Sequence, residues 1–413
     1  MSKHSSFAAC APLLLVIFID GMGLSLLFPV LGSIIIDTHS HFLPATVSIS
    51  MRDFLYGLTI GIFMICWFFG AAILGDLSDT IGRKKALMVC LLGAFLGYLL
   101  SAVAVAADSL TLLIAGRIVA GFTAGSQPIA QAAIVDVSLP ENRARNIGFI
   151  ILSSSLGFVI GPILGGFLSN ANFVFWFNFS TPLYFAALIS LSNAFLLWWL
   201  FTETFSTTTM VRIQFSRAMR ILSSAFQRKE IRYLSIVLLL NIYGWSNYFS
   251  FLTPFAIQHF NMTPIQISLL LADLGAGFSI SCGYLVNFLV KRFRMPHIIA
   301  VSYFWTAIFI VLSAITNQLW LLWTSTALIG ISMGIGYATI ITLFSHQVSD
   351  QEQGWVMGVT GSVMALCFGL TSLAMGYVAT YGVSLPMYLA AAGIASSAVL
   401  MGWPRSTTFT HPT

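Results

Sequence analysis

Charge is what this chain has least of. Only 8% of its 413 residues are Asp, Glu, Lys or Arg, against about 25% in an ordinary soluble domain. So few charges cannot cover a globule in water, which excludes a soluble fold. Cysteine is scarce as well. The five (Cys10, Cys66, Cys90, Cys282 and Cys367) fall singly within apolar stretches. None has CxxC or metal-ligand spacing, which excludes a disulfide scaffold and a thiolate metal site and leaves small buried hydrophobes. No Walker A loop appears, so direct ATP drive has no support. HExxH is missing too, and with it the usual zinc-hydrolase constellation. The expectation is a protein that is not an enzyme and carries no cofactor and no metal.

What the chain has is apolar surface. It is 58% hydrophobic, with a mean hydropathy of +0.92. The apolar residues fall into runs of about 20, enough to cross a bilayer core as a helix. Twelve spans can be read: roughly 8–35, 54–75, 86–107, 110–136, 146–169, 178–202, 233–258, 265–290, 296–315, 319–345, 354–379 and 386–403. The first continues past Asp20 to Ile36, too long for a cleavable signal, and reads as a retained span. The fourth is interrupted by polar residues and is kept because the loops alternate only with it. The polar segment 203–232 carries Met219, Ile221, Leu222 and Phe226 among basic residues. That pattern predicts a short amphipathic helix on the cytoplasmic surface, or a plain linker between two halves. The domains expected are 1–202, a first six-helix bundle; 203–232, the linker; and 233–413, a second bundle with a short tail.

The net charge of +5 does not point to nucleic acid, because the basic residues sit in short loops. With the N-terminus in the cytoplasm, sixteen of the 18 Lys and Arg residues fall on the cytoplasmic side, the bias that sets orientation in membranes. Arg52 lies on the far side and Arg117 within a span. An even number of spans puts both termini inside, and short loops suit a bacterial inner membrane.

Two segments carry the strongest pattern. One is the loop Gly75-Asp76-Leu77-Ser78-Asp79-Thr80-Ile81-Gly82-Arg83-Lys84-Lys85. A tight turn between helices needs glycine where φ is positive, which suits Gly82. Asp79 can face a helix N-terminus, and Arg83 can hold it by a charge-assisted hydrogen bond. A degenerate copy recurs 208 residues on, where Gly283, Leu285, Asn287, Val290, Lys291 and Arg292 replace Gly75, Leu77, Asp79, Gly82, Arg83 and Lys84. Such a repeat is the mark of a duplicated transporter half. The other segment is a run of glycines, Gly148, Gly157, Gly161-Pro162 and Gly165-Gly166. Gly157, Gly161 and Gly165 stack on one helix face and admit a close neighbour. Pro162 removes a backbone donor and can bend the helix.

Together these segments resemble the major facilitator superfamily, and within it the twelve-helix drug:proton antiporters of the tetracycline-efflux type. The resemblance implies an all-α integral membrane fold of two six-helix bundles around a central cavity. It also implies a cytoplasmic gate at Gly75, Asp79, Gly82 and Arg83 that latches the halves, with Asp136 as a further partner for the arginine. Thr80 and Lys85 depart from the family pattern there. The glycine–proline run matches the family's fifth-helix antiporter motif, which implies export by antiport.

Candidate coupling residues follow. Asp20, in Phe18-Ile19-Asp20-Gly21-Met22-Gly23, lies roughly 16–18 Å into the first helix and resembles the first-helix motif of tetracycline-efflux proteins. An ionised carboxylate there is costly unless paired or hydrated, which suits a proton carrier; the alternative is a structural aspartate at a broken helix. Arg117, roughly 10 Å into the fourth span, matches the family's arginine, although Ala120 replaces the usual glutamine. It is expected to pair with Asp20. Asp273 lies at a depth of roughly 12 Å and is a second proton site, a cation-recognising carboxylate or a structural group. Gln131, within about 40° of the Arg117 face, is expected to line a substrate cavity, as are Asn241 and Trp245. The function expected is proton-coupled efflux of a small amphipathic solute, a drug or a siderophore-like metabolite. The partners expected are that solute, protons and lipid, with no nucleic acid and no ATP. A proton-coupled importer and a non-transporting receptor or scaffold are the alternatives.

Overall fold

The computed structural model describes residues 7–138, 140–203, 216–349 and 352–403. They form helices without a strand among the described residues. In chain order these are α1 (Phe7–Leu31), running on into a π turn at Gly32–Ile36, α2 (Ile49–Ile81), α3 (Arg83–Ala106), α4 (Leu110–Thr123), α5 (Ser126–Val137), α6 (Pro140–Leu168) and α7 (Thr181–Leu200). After α8 (Ser216–Gln227) come α9 (Lys229–Phe260), α10 (Pro264–Ile280), α11 (Val286–Val290), α12 (Met295–Ile315), α13 (Leu319–His346), α14 (Gln353–Val378) and α15 (Leu385–Gly402). Taking α4–α5 and α10–α11 as interrupted rods and setting α8 aside leaves twelve rods among the described residues. Nine helical segments there are long and apolar enough to span a membrane. Their outward side chains, such as Leu188, Phe195, Trp198 and Trp199, are exposed, as a lipid-facing surface requires.

The rods pack as two bundles. In the first, α1 lies along α6 and α7, and α3 along α4 and α7. In the second, α12 lies between α13 and α15, and α15 along α9. Two long contacts join them, α2 with α14 and α6 with α10. Many of the cross-bundle contacts sit at the end away from the charged loop of Gly82. There Gln258 Nε2 donates to Asp53 Oδ1 at 2.7 Å, and the Tyr56 and Phe251 rings meet edge to face. A Cβ on Gly57 would lie 2.9 Å from the Gly376 Cα.

Toward the charged end, α8 buries one face and leaves the other, with Met219, Arg220 and Ser223, exposed. Ala218 and Ala225 are fully buried. The helix packs against both α2 and α14, in a cluster with Phe68 and Ala365. Residues 204–215 of the expected linker, Lys3, and the basic tail residue Arg405 lie outside the described residues.

The fourth rod breaks at Ala124–Gly125, where its glycines lie close against α2. A Cβ on Gly121 would sit 3.0 Å from Cys66 Cβ, and one on Gly125 2.8 Å from Ala71 Cα.

Candidate transport site

Asp20 sits half-buried on α1. Ser126, the first residue of α5, donates to its Oδ2 at 2.6 Å. The break in the fourth rod therefore places the hydroxyl that holds this carboxylate. No cation lies within ion-pair distance of Asp20 among the described residues. The expected Asp20–Arg117 pair does not form. Arg117, on α4, is fully buried and donates from Nη2 to Ser101 Oγ at 3.1 Å. Its guanidinium lies 5.5 Å from the Phe63 ring centre and 5.7 Å from that of Tyr98. Periodicity orients a residue on its own helix; it does not fix the distance to a residue on another helix.

Gln131 is half-buried on α5. Asn241, on α9, is fully buried and donates from Nδ2 to Met333 Sδ at 3.5 Å. It thus packs within the second bundle. Asp273, on α10, is half-buried, and its Oδ2 has no hydrogen-bond partner. Trp245 belongs to a run of rings. It lies 5.6 Å from Phe249 and stacks at 6.2 Å on Phe278, which lies 6.0 Å from Tyr337. Phe249 meets Phe28 of α1 at 4.7 Å, so the run crosses from one bundle to the other. Its members Phe28, Phe249, Phe278 and Tyr337 escaped the sequence reading, because aromatics abound in every span and only contact distinguishes these.

In the charged loop Gly82 has φ +98°, the region that favours glycine. Arg83 Nη1 binds Asp79 Oδ1 at 2.7 Å and Ser78 Oγ at 2.5 Å, and its Nε approaches Asp136 Oδ2 at 3.4 Å. These contacts all lie within the first bundle. Gly75 lies on α2 with open space where a Cβ would be. Glu203 also holds the N-terminus of α3, its oxygens accepting from the Arg83 and Lys84 backbone N–H groups at 2.8 and 3.1 Å. Glu203 had been counted as the start of the linker. In the repeated copy Arg292 lies 4.1 Å above the Phe288 ring instead.

The glycine run faces two ways on α6. Cβ atoms on Gly157, Gly161 and Gly165 would lie 2.5 Å from Phe18 O, 2.6 Å from Met22 O and 2.6 Å from Leu26 O. These glycines therefore seat α1 within the first bundle, where Ser25 Oγ reaches Gly157 O at 3.2 Å. Gly166 turns to α10 of the other bundle, 3.1 Å from Pro264 O by the same measure. Pro162 lies inside α6 without ending it. Gly148 is on the same helix, and its surroundings lie outside the described residues.

A family model described as Major Facilitator Superfamily matches residues 13–372, and a second match covers 234–410. The chain belongs to the major facilitator superfamily. This superfamily member is 26% identical over 365 residues to a class C tetracycline resistance protein of Escherichia coli, with 84% of each chain covered. It is 22% identical to the quinolone resistance protein NorA of Staphylococcus aureus (strain COL), over 91% of this chain and 90% of the relative. A solved D-xylose-proton symporter superposes with a TM-score of 0.77 at 14% identity, over 98% of this chain and 99% of that one; this likeness concerns the fold. The chain is thus a multi-pass membrane transporter, with drug-resistance proteins among its relatives.

Proposed function

We propose that this transporter exports a small amphipathic solute in exchange for protons, by alternating access around the space between its bundles. The observation that carries the reading is Asp20: a half-buried carboxylate in the first rod, held by one serine hydroxyl and without a cationic mate. A group so placed gains a proton when one side of the membrane is accessible and loses it when the other is. The fold is shared with a symporter and does not choose the direction. The drug-resistance relatives and the glycine–proline run of α6 favour export. The excess of Lys and Arg puts the charged end in the cytoplasm, with both termini there. On that orientation the contacts of Asp53, Tyr56 and Gly57 lie on the outer side of the seam between the bundles.

The test uses full-length protein in liposomes with tetracycline and norfloxacin as probes. Antiport predicts that an acid interior drives probe uptake into inside-out vesicles. Co-movement of probe and protons in one direction would establish the importer alternative. Asp20→Asn is expected to abolish gradient-driven flux while probe exchange at equal pH continues. Gradient-driven flux at the wild-type rate in that variant would overturn the assignment of Asp20.

A further inference from the structure

Asp53 lies near the start of α2 and is 2% exposed. The seam between the bundles buries it. Gln258, on α9 of the other bundle, donates from Nε2 to its Oδ1 at 2.7 Å. Gly376 of α14 packs on its backbone, since a Cβ on that glycine would lie 3.1 Å from Asp53 O. One turn along α2, Tyr56 meets Phe251 of α9 edge to face. The second bundle thus meets the start of α2 at three points, at the end away from Gly82.

No cation lies within ion-pair distance of Asp53 among the described residues. Arg52, its neighbour in sequence, gives Nη1 and Nη2 to the carbonyls of Ile35, Asp37, Leu43 and Pro44. Asp37, just past the π turn, accepts from the His39 backbone N–H at 2.9 Å, and the His39 and His41 side chains are exposed. His259 of α9 binds Asn317 at 2.9 Å. At the end of α14, the Tyr377 and Tyr381 hydroxyls bind each other at 2.9 Å. What the second bundle offers the carboxyl is therefore one neutral amide. An amide N–H donates to a carboxylic acid as well as to a carboxylate. It does not offset the cost of shutting in a whole charge. When the bundles part at this end, Gln258 leaves with the second bundle and water takes its place, where the ionised form is at no disadvantage.

We infer that Asp53 is a second coupling carboxyl, which binds a proton as the bundles close on it and releases the proton as they part. This deepens the transport reading and rests on it. Asp20 carries the proton; Asp53 sets the pH at which one end of the transporter closes. The sign follows from linkage: closing takes up a proton, so acid favours the closed seam and alkali the open one. With the orientation given by Lys and Arg, this end faces the outer medium, the source of protons for antiport.

The test is a distance, read in the full-length protein with its five cysteines replaced. Spin labels go on Ala171→Cys, in the loop after α6, and Trp320→Cys, at the start of α13. Both positions are exposed and lie at this end, one on each bundle. Double electron–electron resonance in nanodiscs from about pH 5 to about pH 8 is expected to show the longer distance gaining on the shorter as pH rises, by up to about tenfold per pH unit for one linked proton. A distance distribution that ignores pH overturns the inference. Asp53→Asn is neutral at every pH and keeps an acceptor for Gln258, so it is expected to hold the shorter distance throughout. A wild-type pH response in that variant overturns the inference as well. Gln258→Glu sets a second carboxyl against the first, and two carboxylates so close cannot both stay ionised. It is expected to keep the ends apart down to a lower pH than the wild type, and an unchanged profile there also counts against the assignment. The measurement uses no solute and no pH gradient. A protein that shows this response yet runs no proton-driven flux sinks the antiport reading and leaves the role of Asp53 in closing standing.

Discussion

Arg52 shows how a residue that breaks a pattern can be explained by its own contacts. The Lys and Arg distribution strands it on the far side of the membrane, where a free cation would argue against the orientation. It is not free. The side chain is 1% exposed, and its Nη1 donates to the carbonyls of Ile35 and Asp37 at 3.0 and 3.2 Å. Its Nη2 donates to those of Leu43 and Pro44, both at 3.3 Å. Arg52 therefore ties the loop between α1 and α2 to the start of α2 and plays no part in orientation. Arg52→Gln is expected to cost about 2–3 kcal/mol, the scale of hydrogen bonds to a charged donor. Arg52→Lys should recover little, because an ammonium lacks the planar fork. Thermal unfolding in detergent reads both; an unchanged melting temperature in the glutamine variant would refute the assignment. Glycines separate in the same way by what a side chain would meet. At Gly161 a Cβ would lie 2.6 Å from Met22 O, so Gly161→Val should lose about 1–3 kcal/mol by overpacking. At Gly75 a Cβ would meet nothing within 4 Å. Gly75→Ala should be neutral or gain up to about 1 kcal/mol from helix propensity. Equal melting points for the two variants would contradict this distinction.

At the scale of the element, the rods were legible because a run of about 20 apolar residues has one stable form in lipid. The break between α4 and α5 was not. The break sits where α2 lies against Gly121 and Gly125, and hydropathy carries no information about a neighbour. The amphipathic pattern of 216–227 announced an apolar face but not its cover. That cover is α2 and α14, with Met219 left exposed on the other face. Glu203 was missed for a related reason: composition assigned it to a loop, whereas its carboxylate caps α3. The junction of α8 and α9 is anchored by Arg228, which binds Glu352 at 2.6 Å and lies 4.1 Å above the Trp355 ring. The hydrogen bond from Arg228 holds the Glu352 carboxyl below its ordinary value of 4.5. Stability from a carboxyl lowered in the folded state is present above the unfolded value and is lost as pH falls through the folded one. Wild type and Glu352→Gln should therefore differ in melting temperature at neutral pH and converge below pH 4.5. A difference that persists in acid would mean that the pair contributes through packing alone.

For the whole molecule, the position of α8 constrains how the bundles can move. In this conformer α2 and α14 touch near mid-height, where Phe68 packs with Ala365, and α8 fills the space beside that contact through Ala218. Alternating access by rocking would bring the charged ends of α2 and α14 together. Were the charged end to close in this way, α8, which packs against both helices, would have to shift relative to one of them. A pair of cysteines at Phe68 and Ala218, in a background with the five native cysteines replaced, should trap this conformer when oxidised. Probe binding from the charged side should persist, gradient-driven flux should stop, and reduction should restore it. Lengthening the 204–215 segment should not relieve the block, because the bond fixes the helix and not its tether. Should flux continue at the full rate in the oxidised protein, α8 travels with α2 as one body and the bundles rock without displacing it.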